Sequence, residues 1–117
     1  MVCAKKGKFR VERDFLGDRE VPEQALYGIQ SLRGSENFHI TGQKMHRGLI
    51  IGLAMMKKAA ALANAELGYL TPEVGSAIAA AADEIIAGKH IDEFIVDAIQ
   101  GGAGTSMNMN ANEVLAN

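Results

Sequence analysis

The chain has 117 residues, a size that suits one domain with a modest core. Its 48% apolar and 22% charged residues are ordinary for a globular protein, and a net charge of −2 with scattered Lys and Arg argues against a nucleic-acid partner. A single cysteine, Cys3, excludes an intrachain disulfide. No apolar stretch follows the basic N-terminus, and no uninterrupted apolar run approaches the ~20 residues of a membrane span, so a cytoplasmic protein without membrane contact is expected.

In chain order, residues 1–9 read as a flexible leader to a domain over 10–117. Residues 9–15 alternate poorly (Phe9, Val11 and Phe15 against Arg10, Glu12, Arg13 and Asp14) and predict at most a short extended piece. Gly17-Asp18 is a turn signal. Val21-Pro22-Glu23 permits a helix start, which predicts a short helix over about 24–33, weakened by Gly28, and then a loop over 34–42.

The strongest local pattern begins near His46. Leu49, Leu53, Met56, Ala60, Ala63 and Leu67 recur at spacings that place them on one helical stripe, and Gly68 supplies a stop. Thr71 with Pro72 behind it is a cap and first turn, Val74, Ile78, Ala81 and Ile85 repeat the pattern, and Gly88 ends it. The expectation is an antiparallel helical hairpin over about 46–67 and 72–87 with an alanine-rich seam. Alanines bury little area each, so the hairpin should lean on other structure. Lys57 and Lys58 read as solvated. Met45, Met55 and Met56 read as gap-filling core. His39, His46 and His90 lack metal-ligand spacing and read as loop or cap residues.

Residues 91–100 read as a short helix or extended piece. The run Gly101-Gly102-Ala103-Gly104-Thr105-Ser106-Met107-Asn108-Met109-Asn110-Ala111-Asn112-Glu113 carries the chemistry. Its glycines allow close backbone approach, and a loop that enters a helix gathers free N–H groups at the positive end of the helix dipole. Ser106 is an acceptable cap for that helix. No stop signal follows Val114, which predicts a truncated helix and a natural chain that continues. Thr105 stands where a phosphate loop of the Walker type needs Lys, so a small carboxylate is a better ligand than a nucleotide. Gly104, Thr105 and Ser106 are the candidate substrate-binding residues. The asparagines Asn108, Asn110 and Asn112 suggest a polar network between helices, and Asn108 and Asn110 are expected to support the site from behind.

The segment from Gly104 to Val114 resembles the first signature region of the aspartase/fumarase superfamily. Arg13-Asp14-Phe15-Leu16-Gly17, Tyr27-Gly28-Ile29-Gln30-Ser31-Leu32-Arg33, Glu36-Asn37-Phe38 and Lys57-Lys58-Ala59-Ala60-Ala61-Leu62-Ala63-Asn64 are similar to its N-terminal segments. The resemblance covers nearly everything after about residue 10. Residues 94–106 are most similar to the aspartase branch: Ala103 and Ser106 stand where fumarases typically carry Ser and Gln. Ala98 departs from the Pro of many aspartases.

The resemblance implies a mainly α fold, the N-terminal domain of that superfamily with an irregular N-terminal segment, truncated before a central helical domain. It implies deamination of L-aspartate to fumarate and a homotetrameric parent; no cofactor is expected, and no metal site, since metal-ligand spacing is absent. It also implies that Thr105 contacts the dicarboxylate, with Gly104 and Ser106 shaping the pocket. The superfamily's general base, a serine in a Gly-Ser-Ser loop, has no counterpart in these 117 residues, so no catalytic residue is assigned and the chain alone is expected to be inactive. The alternatives are the fumarate hydratase branch and a noncatalytic helical interaction module.

Overall fold

A computed structural model describes residues 7–117, so Cys3 and most of the expected leader lie outside the described residues. The elements are strands β1 (Phe9–Asp14) and β2 (Gly17–Pro22), helices α1 (Ile29–Asn37), α2 (Arg47–Glu66) and α3 (Pro72–Ile86), a 3-10 turn (Ile91–Glu93), and helix α4 (Thr105–Ala116).

The first departure from expectation is at the N-terminus. Residues 9–22 form a paired antiparallel hairpin, from Phe9 opposite Pro22 to Asp14 opposite Gly17. Phe15 and Leu16 make the two-residue tip, and Gly17 follows at φ 108, where a side chain would be strained. The poor alternation has a plain cause: the half-buried face of β1 carries the charged Arg10, Glu12 and Asp14, while Phe9 and Val11 lie on the wet face, Val11 at 66% exposure.

The helix expected over 24–33 starts instead at Ile29 and runs through Gly34 to Asn37, so part of the expected loop is helical. The shift comes from Arg10. Its guanidinium donates to the carbonyls of Pro22 (3.1 Å), Ala25 (2.7 Å) and Tyr27 (2.9 Å). Glu93 accepts from the Leu26 amide at 2.8 Å. Backbone groups bound to side chains in this way are withdrawn from a helical ladder.

The second hairpin forms as the caps predict. His46 Nδ1 accepts from the Gly48 amide (3.0 Å) at the start of α2, and Thr71 Oγ1 accepts from the Val74 amide (3.3 Å) at the start of α3. Gly68 (φ 78) and Gly88 (φ 91) take the left-handed positions after the two helices. The buried stripes, however, lie one residue beyond most of the positions expected: Ile50, Ala54 and Ala61 on α2, and Gly75, Ala79 and Ala82 on α3, while Ile85 is buried as expected. One residue is a rotation of about 100°. The seam uses the smallest side chains because the backbones approach closely there. A Cβ on Gly75 would lie 2.7 Å from that of Ala65.

The larger apolar residues of the expected stripe face outward: Leu49, Met56, Leu67 and Val74 are all at least 45% exposed. Of the methionines read as core, only Met45 is buried; Met55 and Met56 are exposed. The 20-residue α2 is long and apolar enough to cross a membrane by length and composition, although Lys57 and Lys58 keep it from being an uninterrupted apolar run. Lys57 and Lys58 sit at its middle, where charge is costly in a bilayer.

The main core joins Met45, Ile50, Ala54, Ala82 and Ile85 to Phe94, Val96, Ala111 and Val114. Helix α4 thus lies across the base of the α2–α3 hairpin. Its other flank packs on α1.

Candidate functional site

The glycine-rich loop begins from a fixed point. Asp97, 7% exposed, accepts from the amides of Thr41 (3.0 Å), Gly42 (2.9 Å) and Ile99 (2.8 Å) and from Thr41 Oγ1 (2.8 Å). That many donors hold its carboxyl well below the usual carboxylate range. Gly101 then passes the ring of Phe38 so closely that a Cβ there would lie 2.9 Å from it. Gly102 (φ 76) and Gly104 (φ 80) are left-handed.

Helix α4 starts at Thr105 with Gly104 as its cap residue, so Ser106 is the second helical residue and not the expected cap. Gln100 partly replaces the missing side-chain cap. Its Oε1 accepts from the Met107 amide at 2.8 Å and its Nε2 donates to the Asp97 carbonyl at 2.9 Å.

Gly104, Thr105 and Ser106 therefore stand together at the positive end of α4, and Thr105 is exposed. Ser106 lines an open cleft of about 700 Å³ with Asp14, Gln30, Arg33, Asn37 and Phe38; Thr105 is not in its wall. The cleft offers little free positive charge. Arg33 donates to both oxygens of Asp14 (2.8 and 3.0 Å) and to the Gly17 carbonyl (3.0 Å). Arg33 in turn lowers the Asp14 pKa. Arg19 pairs with Glu36. A carboxylate at this end of the molecule would have to be held by backbone N–H groups and hydroxyls on the rim.

The expected supports diverge. Asn108 Oδ1 accepts from Lys57 Nζ at 2.6 Å, so Lys57 is half-buried against α4 and not solvated. Lys58 pairs with Asp83 (2.6 Å). Asn110 is fully buried: Oδ1 accepts from the Ile95 amide (2.9 Å), and Nδ2 donates to the Glu93 carbonyl (2.9 Å). It joins α4 to the segment that feeds the loop. Asn112 Nδ2 meets the sulfur of Met109 at 3.8 Å. Of the histidines, His46 is the α2 cap, and His90 has φ 60 and meets Glu84 at 2.6 Å. Among the described residues, no group of three or more His, Cys, Asp or Glu side chains is placed to hold a metal ion.

Sequence reasoning missed the acidic braces. Glu113 Oε1 accepts from the Ser31 amide (2.8 Å) and hydroxyl (3.0 Å), and Glu12 Oε2 accepts from the Ile29 amide (2.8 Å). Two carboxylates from distant elements thus cap the start of α1, whose own cap residue, Gly28, has no side chain. Glu93 likewise accepts from the Leu26 amide, in the turn that precedes α1. No spacing rule connects such residues. Only Asp97, two residues before the amide of Ile99, carried a local signal, that of an Asx turn.

Burial pushes the Glu113 pKa above its ordinary 4.5, against the opposing pull of the Ser31 bonds, and the nearby Glu12 adds to the rise. Folding therefore favours the protonated form. This stabilising component is present in full below pH 4.5 and is lost as pH rises through the folded-state value. Asp14 and Asp97, whose values are lowered, act in the opposite sense and at lower pH. Urea midpoints should fall as pH rises from 4.5 through the Glu113 titration, and Glu113→Gln should flatten that part of the profile. An identical slope in the variant would remove Glu113 as the cause.

Known proteins resemble this chain over nearly its whole length. A family model described as lyase matches residues 17–117. An aspartate ammonia-lyase from Bacillus sp is 61% identical over 108 residues, covering 92% of this chain and 23% of its own length. A class II fumarate hydratase from Halobacterium salinarum is 52% identical over 109 residues, again with 93% of this chain and 23% of the relative covered. A crystal structure titled fumarate lyase:delta crystallin from Brucella melitensis, bound to cobalt, superposes with TM-score 0.92 at 50% identity, over 94% of this chain and 24% of that one. The chain spans about a quarter of the length of these relatives. With most of its residues matched and the fold shared, the chain belongs to the lyase family of the aspartase/fumarase superfamily.

Proposed function

We propose that this chain is the N-terminal, carboxylate-gripping part of a carbon–nitrogen lyase that converts L-aspartate to fumarate and ammonia. The observation that carries the reading is the start of α4, where Gly104, Thr105 and Ser106 sit at a helix N-terminus, in a chain 61% identical to an aspartate ammonia-lyase. In such a reaction a proton leaves the carbon beside a carboxylate and negative charge builds on the carboxylate oxygens. Neutral donors already aimed at those oxygens lower the barrier without reorganising. Thr105 supplies a hydroxyl, the helix end supplies N–H groups, and Ser106 shapes the adjoining cleft. The deprotonating serine is outside these 117 residues, so the chain alone turns over nothing. The complete enzyme is a cytoplasmic homotetramer in this reading.

The 52% identity to the Halobacterium fumarate hydratase favours hydration of fumarate as the second reading. Grafting this chain in place of the matching 108 residues of the Bacillus relative tests both. The chimera should release fumarate, followed by its absorbance, from aspartate in preference to malate. Thr105→Val should lower kcat/KM about 100-fold or more, the usual size of one lost oxyanion donor. Equal turnover after Thr105→Val would defeat the site assignment, preference for malate would select the second reading, and ammonia release by the 117-residue chain alone would defeat its inactivity.

A further inference from the structure

The loop of residues 101–104 has almost nothing of its own to hold it. Gly101, Gly102 and Ala103 are exposed, three of the four residues are glycine, and two of those are left-handed. A segment with so little side chain loses much backbone freedom on ordering. One side chain spans the loop from outside. Gln100 Nε2 donates to the Asp97 carbonyl (2.9 Å) on the entering side, and Oε1 accepts from the Met107 amide (2.8 Å) in the first turn of α4. The amide's orientation is not free: a carbonyl only accepts and a backbone N–H only donates, so the two partners dictate which end is oxygen.

We propose that Gln100 is a positioning residue, the clasp that holds the loop open in its binding shape; the proposal rests on the carboxylate reading of the loop given above. It ties the loop's entry to its exit. It also takes up one orphan N–H of the helix, that of Met107, and leaves those of Thr105 and Ser106 for a ligand. Neutrality matters as much as reach. A carboxylate here would also accept from Met107, but it would face the Asp97 carbonyl and repel an incoming dicarboxylate.

The test uses the 117-residue chain labelled with nitrogen-15, as wild type, Gln100→Ala and Gln100→Glu, with fumarate as probe. In Gln100→Ala, residues 101–104 should lose their heteronuclear NOE and the Met107 amide should exchange about tenfold faster. The Ile95 amide, held by Asn110, should report an unchanged fold. In Gln100→Glu, loop order should return as pH falls through the ordinary glutamate range near ~4.3, because a protonated carboxyl both donates and accepts. At neutral pH that variant should bind fumarate about tenfold more weakly than wild type. Unchanged loop order and Met107 exchange in Gln100→Ala, or a Gln100→Glu loop indifferent to pH, would overturn the clasp. Absence of any wild-type response to fumarate would overturn the carboxylate reading instead, and the loop data would still decide the role of Gln100.

Discussion

Gly28→Ala should destabilise the chain by about 3 kcal/mol, a large share of the ~5–15 kcal/mol typical of a domain. Backbone strain plays no part, because Gly28 has φ −118 and ψ −163, extended values open to any residue. The cost is steric. A Cβ at this position would overlap Glu113 Oε2 and lie 2.9 Å from Glu12 Oε2. Glu113 cannot swing aside freely, since its other oxygen holds both the amide and the hydroxyl of Ser31, which is 1% exposed. Making room means breaking that pair and leaving a buried N–H without a partner, worth about 1–3 kcal/mol by itself. Urea denaturation provides the measurement. Gly52→Ala is the control: nothing lies within 4 Å of a Cβ there, and helix propensity predicts a gain of about 0.5–1 kcal/mol. Matching midpoints for Gly28→Ala and wild type would mean that the Glu113–Ser31 brace is not rigid.

Asn110→Ala should cost a similar ~3 kcal/mol, for a different reason. The side chain is fully buried and uses both ends of its amide. Removing it orphans the Ile95 amide and the Glu93 carbonyl together, in a site where the next layer is Phe94, Val96 and Ala111. Loss should appear in the thermal midpoint and, locally, as faster exchange at Ile95. Asn110→Asp keeps the acceptor but loses the donor and buries a charge, so it should be at least as harmful at neutral pH. An Asn110→Ala chain with wild-type stability would show that water replaces the amide at no cost. The two substitutions are not independent: Asn110 and Glu113 lie three residues apart on α4, and Glu93, whose carbonyl meets Asn110, also holds the Leu26 and Tyr27 amides beside Gly28, so their effects should couple.

The residue types of the candidate site could be read from the sequence, but the groups that support them could not. The Gly-Thr-Ser run could be read as an uncharged anion grip because its residue types state what they can donate and what they cannot. Nothing in the local sequence pointed to Gln100, to the Arg33–Asp14 pair that neutralises the cleft, or to Glu113 reaching Ser31 across 82 positions of chain. Polar partners of that kind are chosen by where the elements meet. Lys57 illustrates the point: read alone it belongs in water, but next to Asn108 it is half-buried.

Sequence by itself determined the two long helices, their caps at His46 and Thr71 and their stops at Gly68 and Gly88, because capping and left-handed glycines act within a few residues of chain. Tertiary structure decided which faces of those helices are buried. Leucine and methionine marked an apolar stripe, but the helices meet through Ala54, Ala61, Gly75, Ala79 and Ala82, since close backbone approach rewards small side chains over large ones. It also decided the start of α1, where Arg10, Glu12 and Glu113 bind backbone groups that local propensity would have placed in an earlier helix. Side chains arriving from distant positions outcompete local preference there because each buried backbone group must find a partner, and the partner need not be a neighbour in sequence.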